Sequence, residues 1–121
     1  MKEIQATELA QKIKNGGEKV NVIDVRENDE VAQGVIPGAK HIRLAEIPER
    51  LDEIDKNEHH YMVCRSGARS GRASEFLEAN GYDVTNMAGG MLAWMKKQRN
   101  QNSNKKSNSI KGLLFIAFKN R

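Results

Sequence analysis

The segment Val20-Asn21-Val22-Ile23-Asp24-Val25 constrains the fold more than any other. Four of its six residues are β-branched. Such side chains lose rotamer freedom in a helix but pack well on a pleated sheet. The run is short and apolar on both faces, as in a strand covered from both sides. Tyr61-Met62-Val63 and the stretch from Asp83 to Met87 read as further strands, and Lys40 to about Arg43 as an extended piece. Helical spacing fills the gaps between them. Thr7 can cap a helix to about Asn15 with Leu9, Ala10 and Ile13 on one face, ended by Gly16-Gly17. Glu46 to about Ile54 places Ile47, Leu51 and Ile54 on one face. A helix from about Ser70 to Asn80 turns Ala73, Phe76 and Leu77 inward, and one after Gly89-Gly90 does so with Met91, Trp94 and Met95. Strands separated by helices predict an α/β fold, a mostly parallel sheet flanked by helices on both faces.

The 121 residues are expected to form one domain over 1–99, followed by a basic polar linker with a short apolar tail over 100–121, outside the core fold. Charge supports this division. The net +4 arises in the tail, where five basic residues meet no acidic one; residues 1–99 carry fifteen basic and sixteen acidic residues. The body therefore has no general attraction for phosphate backbones, and no nucleic-acid partner is expected. The tail's GLLFIAF, seven apolar residues at 112–118, is too short to span a bilayer, so no transmembrane segment is expected. The first twelve residues are polar and charged, unlike a secretory signal, and a single cysteine excludes an internal disulfide. Both observations point to a reducing, cytoplasmic setting.

That cysteine lies in Cys64-Arg65-Ser66-Gly67-Ala68-Arg69-Ser70, between a strand and a helix. Open α/β sheets bind ligands at the carboxyl ends of their strands. Inward-pointing amides of a tight turn and the unpaired N–H groups of a helix N-terminus stabilise a thiolate and attract an anion. A cysteine so placed can fall from a pKa of about 8.5 to roughly 3.5–7.5. Arg65, Arg69 and Arg72 add positive charge, and Gly67 supplies freedom at the bend. Ser66 and Ser70 can donate hydroxyl hydrogen bonds, and Ser70 is also placed to cap the helix. The residues thus describe an activated nucleophile facing an anionic substrate.

The CRSGARS loop resembles the active-site loop of the rhodanese family of sulfurtransferases. Three other stretches agree with it: Asp24-Val25-Arg26 with Glu30, Ile36-Pro37-Gly38-Ala39, and Gly89-Gly90-Met91-Leu92-Ala93-Trp94. The resemblance extends over about residues 1–99. It implies a rhodanese-like sheet of about five strands and transfer of a sulfane sulfur through a Cys64 persulfide. The donor would be a small anion, thiosulfate or a persulfide; the acceptor would be cyanide, a thiol or a protein. Cys64 would be the nucleophile, Arg65, Ser66, Gly67, Ala68, Arg69 and Ser70 would bind substrate, and Asp24 and Arg26 would support the loop. No metal or organic cofactor is implied. Val31, Val35 and Arg43 depart from the family pattern outside the loop, where they bear on the pocket rim and substrate choice.

Other activities fit the loop less well. Cysteine phosphatases carry arginine six positions after the cysteine, where this chain has Ser70; Arg69 comes one position earlier. Arsenate reduction is a similar alternative. A sulfur-carrier module serving a dedicated partner is the reading outside turnover catalysis. Arg26 and Glu30 are expected to form a structural ion pair, and His41 a structural or surface contact. His59 and His60, adjacent in a strand, point to opposite faces and lack a third ligand nearby, so no metal is expected.

Overall fold

The structure, a computed structural model, describes residues 1–16 and 19–98; the linker and tail expected over 100–121 lie outside the described residues. Five strands form one sheet in the order β1-β5-β4-β2-β3. They are β1 (Lys2–Gln5), β2 (Asn21–Asp24), β3 (Lys40–His41), β4 (His59–Val63) and β5 (Asp83–Ala88). All four pairings are parallel.

Helices cover both faces, as the alternating pattern requires. On one face Ile23, Val25, Met62 and Val84 pack against Ala73 and Leu77 of α3 (Ala68–Ala79) and against Ile47 and Ile54. On the other, Ile4, Val22, Val63 and Met87 meet Leu9 of α1 (Ala6–Asn15) and Met91 and Trp94 of a helix at 90–98. The switch of faces between neighbours such as Met62 and Val63 is the period of two that a strand imposes.

Several local expectations are corrected. β1 is an additional strand; only Ile4 of its four residues is buried. α1 begins at Ala6, and the Gln5 N–H donates to the Glu8 carboxylate at 3.1 Å, so Thr7 is not the cap. Gly16 ends α1 with φ 63°, the left-handed turn expected there. The stretch from Glu46 to Ile54 is two 3-10 segments, Leu44–Glu49 and Leu51–Glu53, rather than one α-helix. Pro48 explains the difference, because it lacks an N–H and its ring clashes with the preceding turn. A short α2 (Asn28–Val31) follows β2. Phe76 and Met95 are exposed rather than core.

His60 in β4 is buried, and its Nδ1 has no hydrogen-bond partner. Burial holds its pKa below the ordinary 6.5, against the opposing pull of the Glu58 charge and backbone. The folded state therefore binds fewer protons than the unfolded chain once pH drops through the unfolded value. The neutral ring's contribution is complete above that pH and is lost below it. Urea midpoints should fall between about pH 7.5 and 5, and the fall should be shallower in His60→Asn. Equal slopes would show that His60 does not set this dependence.

Candidate active site

β4 runs up the middle of the sheet and delivers Cys64 just past its carboxyl end. Cys64 is completely buried. The chain then bends through Gly67, whose φ of 105° is the region that disfavours a Cβ. A side chain there would also come within 3.2 Å of the Gly89 nitrogen. α3 starts at Ala68, two residues before the expected position, so Ser70 lies inside its first turn and is not its cap.

The loop divides its polarity. Its N–H groups face the sulfur: the Gly67 amide donates to Cys64 Sγ at 3.1 Å, and the amides of Ser66 and Ser70 contribute as well. Its carbonyls face away. Met91 N–H donates to the Cys64 carbonyl at 2.8 Å and Leu92 N–H to the Arg65 carbonyl at 3.0 Å. The opening turn of the 90–98 helix is thus satisfied by the cysteine loop, and the loop by the helix. The Ser70 hydroxyl lies 3.3 Å from Sγ. Burial pushes the thiol up, but the hydroxyl and the three amides outweigh it, and the Cys64 pKa lies below its ordinary value.

The charged groups pair differently from the expectation. Arg26 and Glu30 do not form an ion pair with each other. Arg26 is buried against Asp24, with Nη2 2.8 Å from Oδ2 and Nε 3.0 Å from Oδ1. Its remaining N–H groups reach the carbonyls of Gly34 at 2.7 Å and Glu30 at 3.4 Å. Glu30 instead takes Arg69 in a two-pronged contact of 2.7 and 2.8 Å. Hydrogen bonds from Arg69 and from the Glu27 amide lower the Glu30 pKa to about 2. A bidentate pair of this kind is directional and fixes both side chains. Arg65 is exposed and forms no ion pair among the described residues. Ser66 and Ala68 are exposed as well.

A cavity of about 290 Å³ opens beside the loop, between Arg26, Glu30 and Val35 on one side and Arg65, Leu92 and Met95 on the other. Cys64 does not line it. His41 is structural, its Nε2 lying 2.6 Å from the Arg26 carbonyl. His59 contacts Thr85 Oγ1 at 2.7 Å and Asp83 at 2.8 Å. One residue of the site escapes the sequence reading. Asn86 in β5 contacts both Ser70 and Gly67. The available signal was an asparagine, a poor strand former, inside an otherwise good strand.

A family model described as a rhodanese-like domain matches residues 5–97. The YtwF protein of Bacillus subtilis is 41% identical over 102 residues, which cover 84% of this chain and 98% of that one. A protein of Allochromatium vinosum named sulfurtransferase is 40% identical over 95 residues, covering 78% of this chain and 88% of the relative. Among solved structures, a rhodanese-like domain protein from Staphylococcus aureus superimposes with a TM-score of 0.75 at 46% identity, covering 78% of this chain and 91% of that one.

Proposed function

The chain belongs to the rhodanese-like family, and on that premise we propose that it moves a sulfane sulfur from an anionic donor to a thiophilic acceptor through Cys64. One observation carries the reading: a single buried thiol, below its ordinary pKa, inside a cup of inward-facing N–H groups. The thiolate attacks the outer sulfur of thiosulfate or of a persulfide. A new S–S bond forms, the donor's own bond to that sulfur breaks, and sulfite or a thiolate leaves with the electron pair. Cys64 then carries the outer sulfur as a persulfide anion. Cyanide, a thiol or a partner protein's nucleophile attacks that outer atom and returns the Cys64 thiolate. No external oxidant or reductant is required. The loop amides are fixed before the reaction, so they stabilise sulfur-centred charge without reorganising.

Arg65 is the cation that meets the donor anion, because Arg69 is committed to Glu30 and Arg26 to Asp24. Arg69 thus acts by holding the loop's geometry. The Glu30–Arg69 pair and Ser70 at the sixth position also weigh against phosphoryl chemistry, since no unpaired arginine follows the cysteine at that spacing.

The test is the intact mass of reduced protein before and after thiosulfate. A gain of one sulfur atom, removed by cyanide and absent in Cys64→Ser, is expected. Folded protein with a free thiol that gains no mass from thiosulfate or polysulfide would overturn the reading. The functional unit in this reading is residues 1–99. A chain ending there should load sulfur at the full-length rate, and a folded but inactive truncation would place residues 100–121 in the site.

A further inference from the structure

Ser70 has one hydroxyl proton and two neighbours placed to receive it. Its Oγ is 3.3 Å from Cys64 Sγ and 2.5 Å from Asn86 Oδ1. The orientation of Asn86 decides between them. Its Nδ2 lies 3.1 Å from the Gly67 carbonyl, which can only accept, so the amide nitrogen must face Gly67 and the amide oxygen must face Ser70. An amide oxygen only accepts, so the hydroxyl proton goes to Asn86 in the arrangement observed. Ser70 then presents a lone pair to sulfur, which suits a neutral thiol donating S–H and opposes a thiolate.

We propose that Asn86 is a positioning residue that sets the Ser70 hydroxyl as a two-position switch: toward Asn86 when Cys64 is a thiol, toward sulfur when Cys64 is a thiolate. On ionisation the S–H bond breaks, its proton passes to solvent, and the Ser70 O–H rotates from Asn86 Oδ1 to Sγ. Asn86 loses its hydrogen bond in that step, so its presence opposes the thiolate, while its second bond holds the Gly67 carbonyl on the far side of the turn whose Gly67 N–H faces the sulfur. All three side chains are buried, and water does not compete for the proton. The charged groups around the loop are Arg65 and Arg69 on it, Glu27 and Glu30 at α2, and the Asp24–Arg26 pair at the carboxyl end of β2. Asn86 to Met91 adds none, so the switch is set by dipoles on that side.

Titration of the thiolate by its ultraviolet absorbance separates this role from a structural one. In Asn86→Leu the hydroxyl has only sulfur to serve, and the Cys64 pKa should fall by about one unit, a tenfold gain in thiolate on the acid side. Ser70→Ala should raise it. Asn86→Leu made in the Ser70→Ala background should produce no further shift, because the effect travels through that hydroxyl. A rise in Asn86→Leu, or the same shift with and without Ser70, would overturn the proposal and leave Asn86 as a brace for Gly67. The wild-type protein supplies a test independent of any Asn86 substitution. The side-chain carbonyl carbon of Asn86 should move in NMR spectra as Cys64 titrates, and the movement should vanish in Ser70→Ala. A carbonyl that stays still through the titration would also overturn it.

Discussion

Gly90→Ala is expected to unseat the cysteine loop and lower sulfur transfer on the order of a hundredfold or more. A Cβ at Gly90 would lie 2.4 Å from the Arg65 carbonyl oxygen, 2.5 Å from its carbon and 2.6 Å from the Cys64 carbonyl oxygen. All three contacts are backbone, so no side chain can turn aside. Gly90 also has φ 55°, a conformation that costs an alanine about 1–2 kcal/mol before any clash. Relief requires the 90–98 helix to withdraw, which breaks the bonds from Met91 and Leu92 to the loop carbonyls. The loop would then lose the contacts that keep its N–H groups on sulfur. Overpacking and backbone strain together should cost roughly 2–5 kcal/mol of stability. Urea unfolding and thiosulfate loading of the same sample provide the measurement. A variant with wild-type loading would show that the loop tolerates a looser helix.

Asp24→Ala should have the next largest effect. It removes the carboxylate from Arg26, whose side chain is 6% exposed, and leaves a buried guanidinium with only the carbonyls of Gly34 and Glu30. Breaking one side of a buried pair costs about 3–5 kcal/mol. The damage should reach the site, because Arg26 ties the segment carrying Glu30, and Glu30 positions Arg69. Replacing both partners with apolar residues, Asp24→Leu with Arg26→Met, should recover most of the stability, since the uncompensated charge is then gone. A loss below about 1 kcal/mol in Asp24→Ala would mean that water has reached the arginine.

The sequence made the strand interiors and the cysteine loop readable for the same reason: both are local. A run such as Val20–Val25 can only be a covered strand, and a cysteine among arginines and glycine after a short apolar run has few structural uses. What depends on distant partners was not readable. Glu30 lies four residues from Arg26, a spacing that suggests a pair, yet its partner Arg69 is 39 positions away. β1 reads as polar because it is an edge strand with one buried side chain, and its pairing with β5 spans most of the domain. α3 starts early because Gly67 closes its N-terminus through backbone geometry, without the side-chain cap that a reader looks for. Asn86 gained its role only when β5 was laid beside β4.

The embrace between the cysteine loop and the Gly89–Leu92 segment also sets an order of events during synthesis. Cys64 emerges from the ribosome before Asn86, Gly90, Met91 and Leu92 do, and among the described residues β1, the first strand made, has its only sheet neighbour in β5, the last. Until then the sheet lacks its C-terminal strand, the loop carbonyls have no donors, and the thiol has the reactivity of any cysteine in an unfinished chain. The surroundings that lower the Cys64 pKa are therefore a late product of assembly, and a nascent or prematurely terminated chain carries an ordinary thiol at that position.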